Sequence, residues 1–162
     1  ITGGEPTLSA DLEDLIRDIC ALGYPVKLDT NGTHPEVLVS LAEKGLIQKA
    51  AVDIKACPEN YGTLCGLSRP DLAPVMETVD YLLHGSLDYE FRTTAVKELH
   101  TEEDFIKIGQ WLKGARAYYL QAYRDSEEVL QPGFSSFSAE ELLRFRNILK
   151  ETIDLVEIRG VD

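Results

Sequence analysis

At 162 residues, 44% of them hydrophobic and 27% charged, the chain can bury one substantial core and has the composition of an ordinary globular domain. Sixteen basic against twenty-eight acidic residues leave a net charge of -12, which argues against a broad nucleic-acid or anionic-membrane surface. No apolar run reaches the length of a membrane span, no signal peptide is legible at this N-terminus, and three cysteines without a framework spacing point to a reducing compartment, so a cytoplasmic location is expected.

Residues 1–8, Ile-Thr-Gly-Gly-Glu-Pro-Thr-Leu, read as the exit of a strand. Gly3 and Gly4 let the backbone turn sharply and approach a ligand, and Pro6 fixes φ at the end of the turn. Ser9, followed by acidic residues, is the expected N-cap of a helix carrying Leu12, Leu15, Ile16 and Ile19 on one stripe and ending at Gly23. Gly3, Gly4, Glu5 and Pro6 therefore occupy a β-to-α loop, where α/β folds hold ligands.

A short strand over 25–28 feeds into Asp29-Thr-Asn-Gly32. Asn31-Gly32 alone would suit a hairpin, but Pro35 at a first-turn position and Leu38, Leu41 and Ala42 after it favour strand, loop and helix. A strand lies within 47–54, then a loop, then an irregular segment over 61–67. Leu72, Val75, Met76, Val79, Leu82 and Leu83 mark a helix over 71–83, with Met76 as core filler. A strand over 89–96 precedes a capping box at Thr101 to Asp104 and a helix bearing Phe105, Ile108 and Leu112. A strand over 117–121, a long loop over 123–137, a second capping box at Ser138 to Glu141, a helix to about 152 and a strand over 155–159 complete the chain.

Strands alternating with helices predict parallel pairing. Glu5 and Asp29, and likewise Asp29 and Asp53, are 24 residues apart, so polar signatures recur once per βα unit at strand ends. The expected architecture is a partial (βα)6 TIM-like barrel of parallel strands, truncated at its N-terminal unit, forming a single domain over 1–162. Asp29 and Asp53 at neighbouring strand ends could share a hard cation with carbonyls of Thr30 and Ala51, or Asp29 could cap the turn while Asp53 pairs with Lys55. Lys55 and Arg92, placed at strand ends, suit a carboxylate. Cys20 reads as a core residue, Cys57 and Cys65 as free thiols flanking a loop. His34, His84 and His100 read as surface residues.

Ile1 to Pro6 resembles the S-adenosylmethionine loop of the radical-SAM superfamily. The segments at 27–33, 51–55, 90–94 and 119–123 resemble the later strands of glycyl-radical-enzyme activases, most nearly those of anaerobic ribonucleoside-triphosphate reductase. The likeness runs over essentially the whole chain. It implies binding of S-adenosylmethionine by Gly3, Gly4, Glu5, Pro6, Asp29, Asn31, Lys55, Arg92, Gln121 and Tyr123, with the Gly-Gly-Glu-Pro turn on the amino group. It also implies a Na⁺ or K⁺ site at Asp29, Thr30, Ala51 and Asp53. In that family a [4Fe-4S] cluster is held by a Cys-x3-Cys-x2-Cys loop upstream, and Cys20, Cys57 and Cys65 are too widely spaced for it. The chain, opening without Met, is therefore expected to be the C-terminal portion of a longer enzyme and inactive by itself. Gln121 and Tyr123 stand where related activases carry Pro and His, which leaves no imidazole there.

The partners implied are a glycyl-radical enzyme and an electron donor such as flavodoxin or ferredoxin, with no nucleic acid and no membrane. Activation of pyruvate formate-lyase, or a non-catalytic barrel binding a nucleoside or cation, are the alternative readings. A phosphate-binding barrel enzyme ranks below these, because it would want a late glycine-rich phosphate loop.

Overall fold

The computed structural model describes residues 1–64, 71–125 and 133–161. Its elements are α1 (Leu12–Ala21), β1 (Lys27–Thr30), α2 (Pro35–Glu43), β2 (Lys49–Asp53), α3 (Tyr61–Leu64), α4 (Ala73–His84), β3 (Asp88–Ala95), α5 (Glu102–Trp111), β4 (Ala117–Ala122), α6 (Ala139–Leu149) and β5 (Leu155–Arg159). The strands form one five-stranded parallel sheet in the order β1-β2-β3-β4-β5, as alternating strands and crossover helices require. Contacts group the chain into two compact units. One holds Ile1–Asp53 and Asp71–Phe91, and the other the described residues of 54–64 and 92–161. Among the described residues no helix is long and apolar enough to cross a membrane.

In the first unit β1 and β2 run parallel with Lys27 opposite Lys49 and Asp29 opposite Ala51. Strand alternation turns Leu28, Ala50 and Val52 into the apolar core with Leu12, Ile16, Leu38, Leu41, Val79 and Leu82. The other face is charged: buried Glu90 meets Lys27 at 2.9 Å and Lys49 at 3.4 Å. Two cations offset the cost of removing that carboxylate from water. Ile1 lies outside the assigned strands, yet its amino group donates to the Lys27 carbonyl and its carbonyl accepts from the Asp29 amide, the bonding of a parallel ladder.

Three local expectations fail here. Ser9 does not cap α1. It closes a 3₁₀ turn over Pro6–Leu8 by donating its amide to the Pro6 carbonyl, and Asp11 takes the N-cap position without a side-chain bond. Leu15, expected on the apolar stripe, is 51% exposed, because the stripe narrows to Leu12 and Ile16. Met76 is 48% exposed and not core filler: the buried line of α4 runs through Val75, Thr78, Val79 and Leu82, and Met76 sits on its flank.

The second unit is built around α5, α6, β4 and β5. Phe105 and Phe145 stack at 4.5 Å between ring centroids, and both are buried. Both capping boxes form. Thr101 and Asp104 exchange side-chain and backbone bonds at the start of α5, as do Ser138 and Glu141 at α6. Asp104 does more than cap: it also accepts from the Cys57 thiol at 3.1 Å and the Asn60 amide at 2.6 Å. Cys57 is buried, and burial together with Asp104 pushes its thiol up to about 11. Cys20 is half-buried, with its thiol against the Leu46 carbonyl at 3.4 Å. Cys65 and residues 126–132 of the expected 123–137 loop lie outside the described residues.

His100 is buried, contrary to the expectation of a surface residue. Its Nε2 donates to the Lys55 carbonyl at 2.9 Å, its Nδ1 accepts from the Val96 amide at 3.1 Å, and its ring stacks on Phe105. His100 precedes the N-cap and Phe105 is the fourth helical residue, the two positions of a hydrophobic staple, so the signal was present in the sequence.

Two measurements test these local constraints. Gly32 has φ +78°, and a Cβ there would lie 3.2 Å from Val52 Cγ1. Gly32→Ala is expected to lower stability by about 1–2 kcal/mol, seen as a lower urea midpoint at unchanged slope. Burial raises the Asp104 pKa, but hydrogen bonds from Thr101, Cys57 and Asn60 outweigh it and leave the carboxyl at about 2, below its ordinary 3.8. Its folded pKa is depressed, so its contribution is complete above the unfolded value and fades as pH falls toward 2. That contribution is on the order of 2 kcal/mol. Asp104→Asn should flatten the stability curve between pH 4 and 2 relative to the parent chain.

Candidate functional site

The loop that leaves Ile1 turns through Gly3 at φ +105° and Gly4 at φ +58°, conformations that other residues adopt only with strain. Neither glycine has any atom within 4 Å of where a Cβ would stand, and both are exposed. The loop therefore presents bare backbone to open space. Such a surface suits a small polar ligand read by N–H and C=O groups.

Glu5 holds this loop to the end of β1. Its Oε1 accepts from the Thr7 amide, the Thr7 hydroxyl and the Thr30 hydroxyl at 3.1, 2.5 and 2.7 Å, and its Oε2 accepts from the Asn31 amide at 2.6 Å. Four protein donors thus occupy the Glu5 carboxylate, and its Thr7 bonds cap the 3₁₀ turn. The Thr30 hydroxyl in turn accepts from the Gly32 amide, and Asn31 Oδ1 accepts from the amide and hydroxyl of Thr33. His34 joins at the rim, its Nδ1 3.2 Å from the Thr7 hydroxyl and 3.0 Å from that of Thr33.

Asp29, Asn31, Ala51 and Asp53 share the charged face of the first unit by strand alternation, and Asp29 lies directly opposite Ala51. Asp29 Oδ1 is 3.7 Å from Lys27 Nζ, so a cation between Asp29 and Asp53 would compete with that ammonium group. Among the described residues no cluster of three or more histidine, cysteine or acidic side chains is arranged to hold a metal ion. A monovalent ion, satisfied by two carboxylates and carbonyls, needs no such cluster.

In the second unit Lys55 is exposed on a backbone fixed from both sides, its amide donating to the Tyr61 hydroxyl at 3.3 Å and its carbonyl accepting from His100. The preceding Ile54 carbonyl accepts from the Thr93 hydroxyl at 2.6 Å, and Tyr118 donates to Thr93 at 2.5 Å. Burial pushes the Tyr118 phenol pKa up, keeping it a neutral donor. Arg92 is half-buried and stands mid-strand, because β3 extends to Ala95. Gln121 accepts from Thr94 at 3.4 Å near the end of β4. Tyr123 donates to Asp125 at 3.3 Å and meets Phe134 edge-on.

Glu5→Gln keeps the shape of the clamp and replaces an acceptor with a donor that would face donors. Amide hydrogen exchange at Thr7 and Asn31 is expected to accelerate by about tenfold or more, with the rest of the first unit unchanged. Unchanged exchange at both amides would show that the carboxylate is not what pins the loop.

Residues 1–112 match the profile of the radical SAM superfamily. Over its full length the chain is 31% identical to MJ1227 of Methanocaldococcus jannaschii, a candidate glycyl-radical enzyme activating enzyme, and spans 70% of it. An AdoMet-dependent heme synthase of Oleidesulfovibrio alaskensis is 27% identical over 86% of the chain, which spans 36% of that protein. A crystallised domain of a pyruvate-formate lyase-activating enzyme from Bacteroides vulgatus shares the fold with a TM-score of 0.78 at 16% identity, covering 99% of this chain and 97% of that one. The matched profile takes in the Gly3-Gly4-Glu5 loop, β1, β2 and α5 together, and on that match and the full-length relationship the chain belongs to the radical SAM superfamily.

Proposed function

We propose that the chain is the S-adenosylmethionine-binding part of a glycyl-radical-enzyme activase, and that its partner is an anaerobic ribonucleoside-triphosphate reductase. The observation that carries the reading is the exposed Gly3-Gly4 backbone, pinned by Glu5 to the end of β1, in a chain related over its whole length to an activase candidate. On this reading the loop's backbone receives the amino group of the methionine moiety. Glu5 positions that backbone, since its oxygens are already engaged. Asp29 and Asp53, with the Thr30 and Ala51 carbonyls, hold Na⁺ or K⁺. In the second unit Lys55 and Arg92 are proposed for the ligand's carboxylate, Arg92 bidentately, and Gln121 and Tyr123 for further polar contacts.

Bound S-adenosylmethionine, on taking one electron from a reduced cluster and releasing methionine, would supply such an activase with the group that removes hydrogen from a glycine of the partner. The described residues do not fit the [4Fe-4S] cluster that this step uses. Cys57 is buried against Asp104, Cys20 faces the Leu46 carbonyl, and among the described residues no group of three possible ligands surrounds either. The proposal therefore assigns the cluster ligands to residues outside these 162, and assigns this chain the work of orienting the sulfonium and excluding water. Activation of pyruvate formate-lyase is the second reading, favoured by the fold shared with a domain of that enzyme's activase.

The test is anaerobic reconstitution of the protein extended upstream through its native start, followed by measurement of iron, sulfide and deoxyadenosine. About four irons per chain with deoxyadenosine formed after reduction is the expected result. A colourless protein that releases none would overturn the activase reading and leave a binding barrel. The 162-residue chain alone should yield no deoxyadenosine, and Asp29→Ala or Asp53→Ala in the extended protein should abolish any stimulation of turnover by Na⁺ or K⁺.

A further inference from the structure

The outer side of β5 differs from the rest of this acidic chain. A groove of about 520 Å³ runs between α6 and β5, wholly within the second unit. Leu143 and Arg146 line it from α6 and Lys150 from the C-cap of that helix, and their spacing of three and four residues places them on one stripe. Leu155 and Ile158 of β5, with Val161 just beyond, form the opposite wall. Leu143, Leu155 and Val161 are 43, 42 and 44% exposed, an apolar strip open to water.

Two further observations concern what this strip lacks. Arg146 Nε is buried and has no hydrogen-bond partner, while the terminal nitrogen of the same guanidinium reaches only its neighbour Asn147, at 3.4 Å. A buried unpaired donor is costly unless something arrives to accept from it. The β5 backbone is also half-used. It pairs with β4 from Ala117 opposite Leu155 to Gln121 opposite Arg159, and among the described residues no strand follows it in the sheet. In a parallel strand alternate residues turn their N–H and C=O groups to the other side, which here no described strand covers.

We propose that the β5 edge and the α6 groove dock an extended, acid-bearing segment of a partner protein, which adds a strand beside β5. Backbone bonds to that edge would supply register, apolar side chains at alternate positions would fill the strip, and a carboxylate would accept from Arg146 and Lys150. Charge selects this occupant. The chain carries -12 overall and repels acidic peptides elsewhere, whereas the groove sets Arg146 and Lys150 against one acid, Glu157. A second copy of this chain would bring another charge of -12 to the same edge. Identifying the partner as a glycyl-radical enzyme rests on the activase reading; the docking chemistry does not.

The probe is a fluorescein-labelled peptide of alternating Glu and Val, about nine residues long to match a strand, titrated with the chain and followed by anisotropy. Saturable binding is expected, weakened about tenfold or more by Arg146→Gln with Lys150→Gln, and abolished by N-methylation of alternate peptide amides. The corresponding Lys and Val peptide should not bind. Circular dichroism confirms that the double variant is folded. Equal binding of both peptides, binding unchanged in the double variant, or no saturation by about 1 mM overturns the proposal. So does self-association, seen by light scattering, that the Glu and Val peptide fails to displace, since it would place a second copy on the edge. The assay needs neither cluster nor S-adenosylmethionine, so its failure leaves the activase reading intact. Peptide binding without deoxyadenosine formation would remove that reading alone.

Discussion

The first unit depends on one carboxylate. Glu5 gathers donors from its own turn and from the end of β1, and it does so where two glycines in left-handed conformations would otherwise leave the loop free to fluctuate. Glycine loses more conformational entropy on ordering than any other residue, so a loop that needs bare backbone also needs an external constraint. The charge-assisted bonds to Glu5 provide it. Binding surface and restraint are thus separate: the glycines offer the surface, and the acid beside them keeps it in place. A ligand that meets a preformed surface loses less in ordering it.

The second unit uses the same division with different residues. Lys55 is exposed, but the chain around it is tied by Thr93, Tyr118, Tyr61 and His100, all of them buried. Asp104 adds a second anchor by joining the helix cap of α5 to the loop carrying Cys57 and Asn60. In both units polar side chains that look redundant in a list of residues hold the backbone of an exposed segment. Such buried networks are worth more complete than as separate pairs.

The strand and helix succession was legible because its signals are local. Pro35 at the start of α2, the Thr101 and Ser138 capping boxes and the aromatic and β-branched run of β3 each state their structure within a few residues. What stayed hidden depends on long-range register. Nothing near Glu90 announces that Lys27 and Lys49, strands away in sequence, will both reach it. Met76 and Leu15 fell on apolar stripes whose width only packing decides. Ser9 is not the cap of α1 because the 3₁₀ turn over Pro6–Leu8 ends on it and the helix begins only at Leu12, with Asp11 at the N-cap. The burial of His100 is different, since its place before a capping box and five residues from Phe105 is itself a local signal. For the candidate site, the loop and the strand-end acids could be read from spacing, but not that Glu5 faces inward to the protein.

The ladder contact at Ile1 gives the Gly3-Gly4 loop a fixed length as well as a fixed shape. Ile1 is locked opposite β1 at one end and Glu5 is locked to Thr30 and Asn31 at the other, so the three intervening residues must span a set gap. One residue inserted or deleted there would displace the carboxylate by roughly 3.3 Å, more than a hydrogen bond tolerates. The two bonds to the end of β1, from Thr30 and Asn31, would then fail together while those to Thr7 move with the turn, and substitution of the glycines would be gentler than any change in their number.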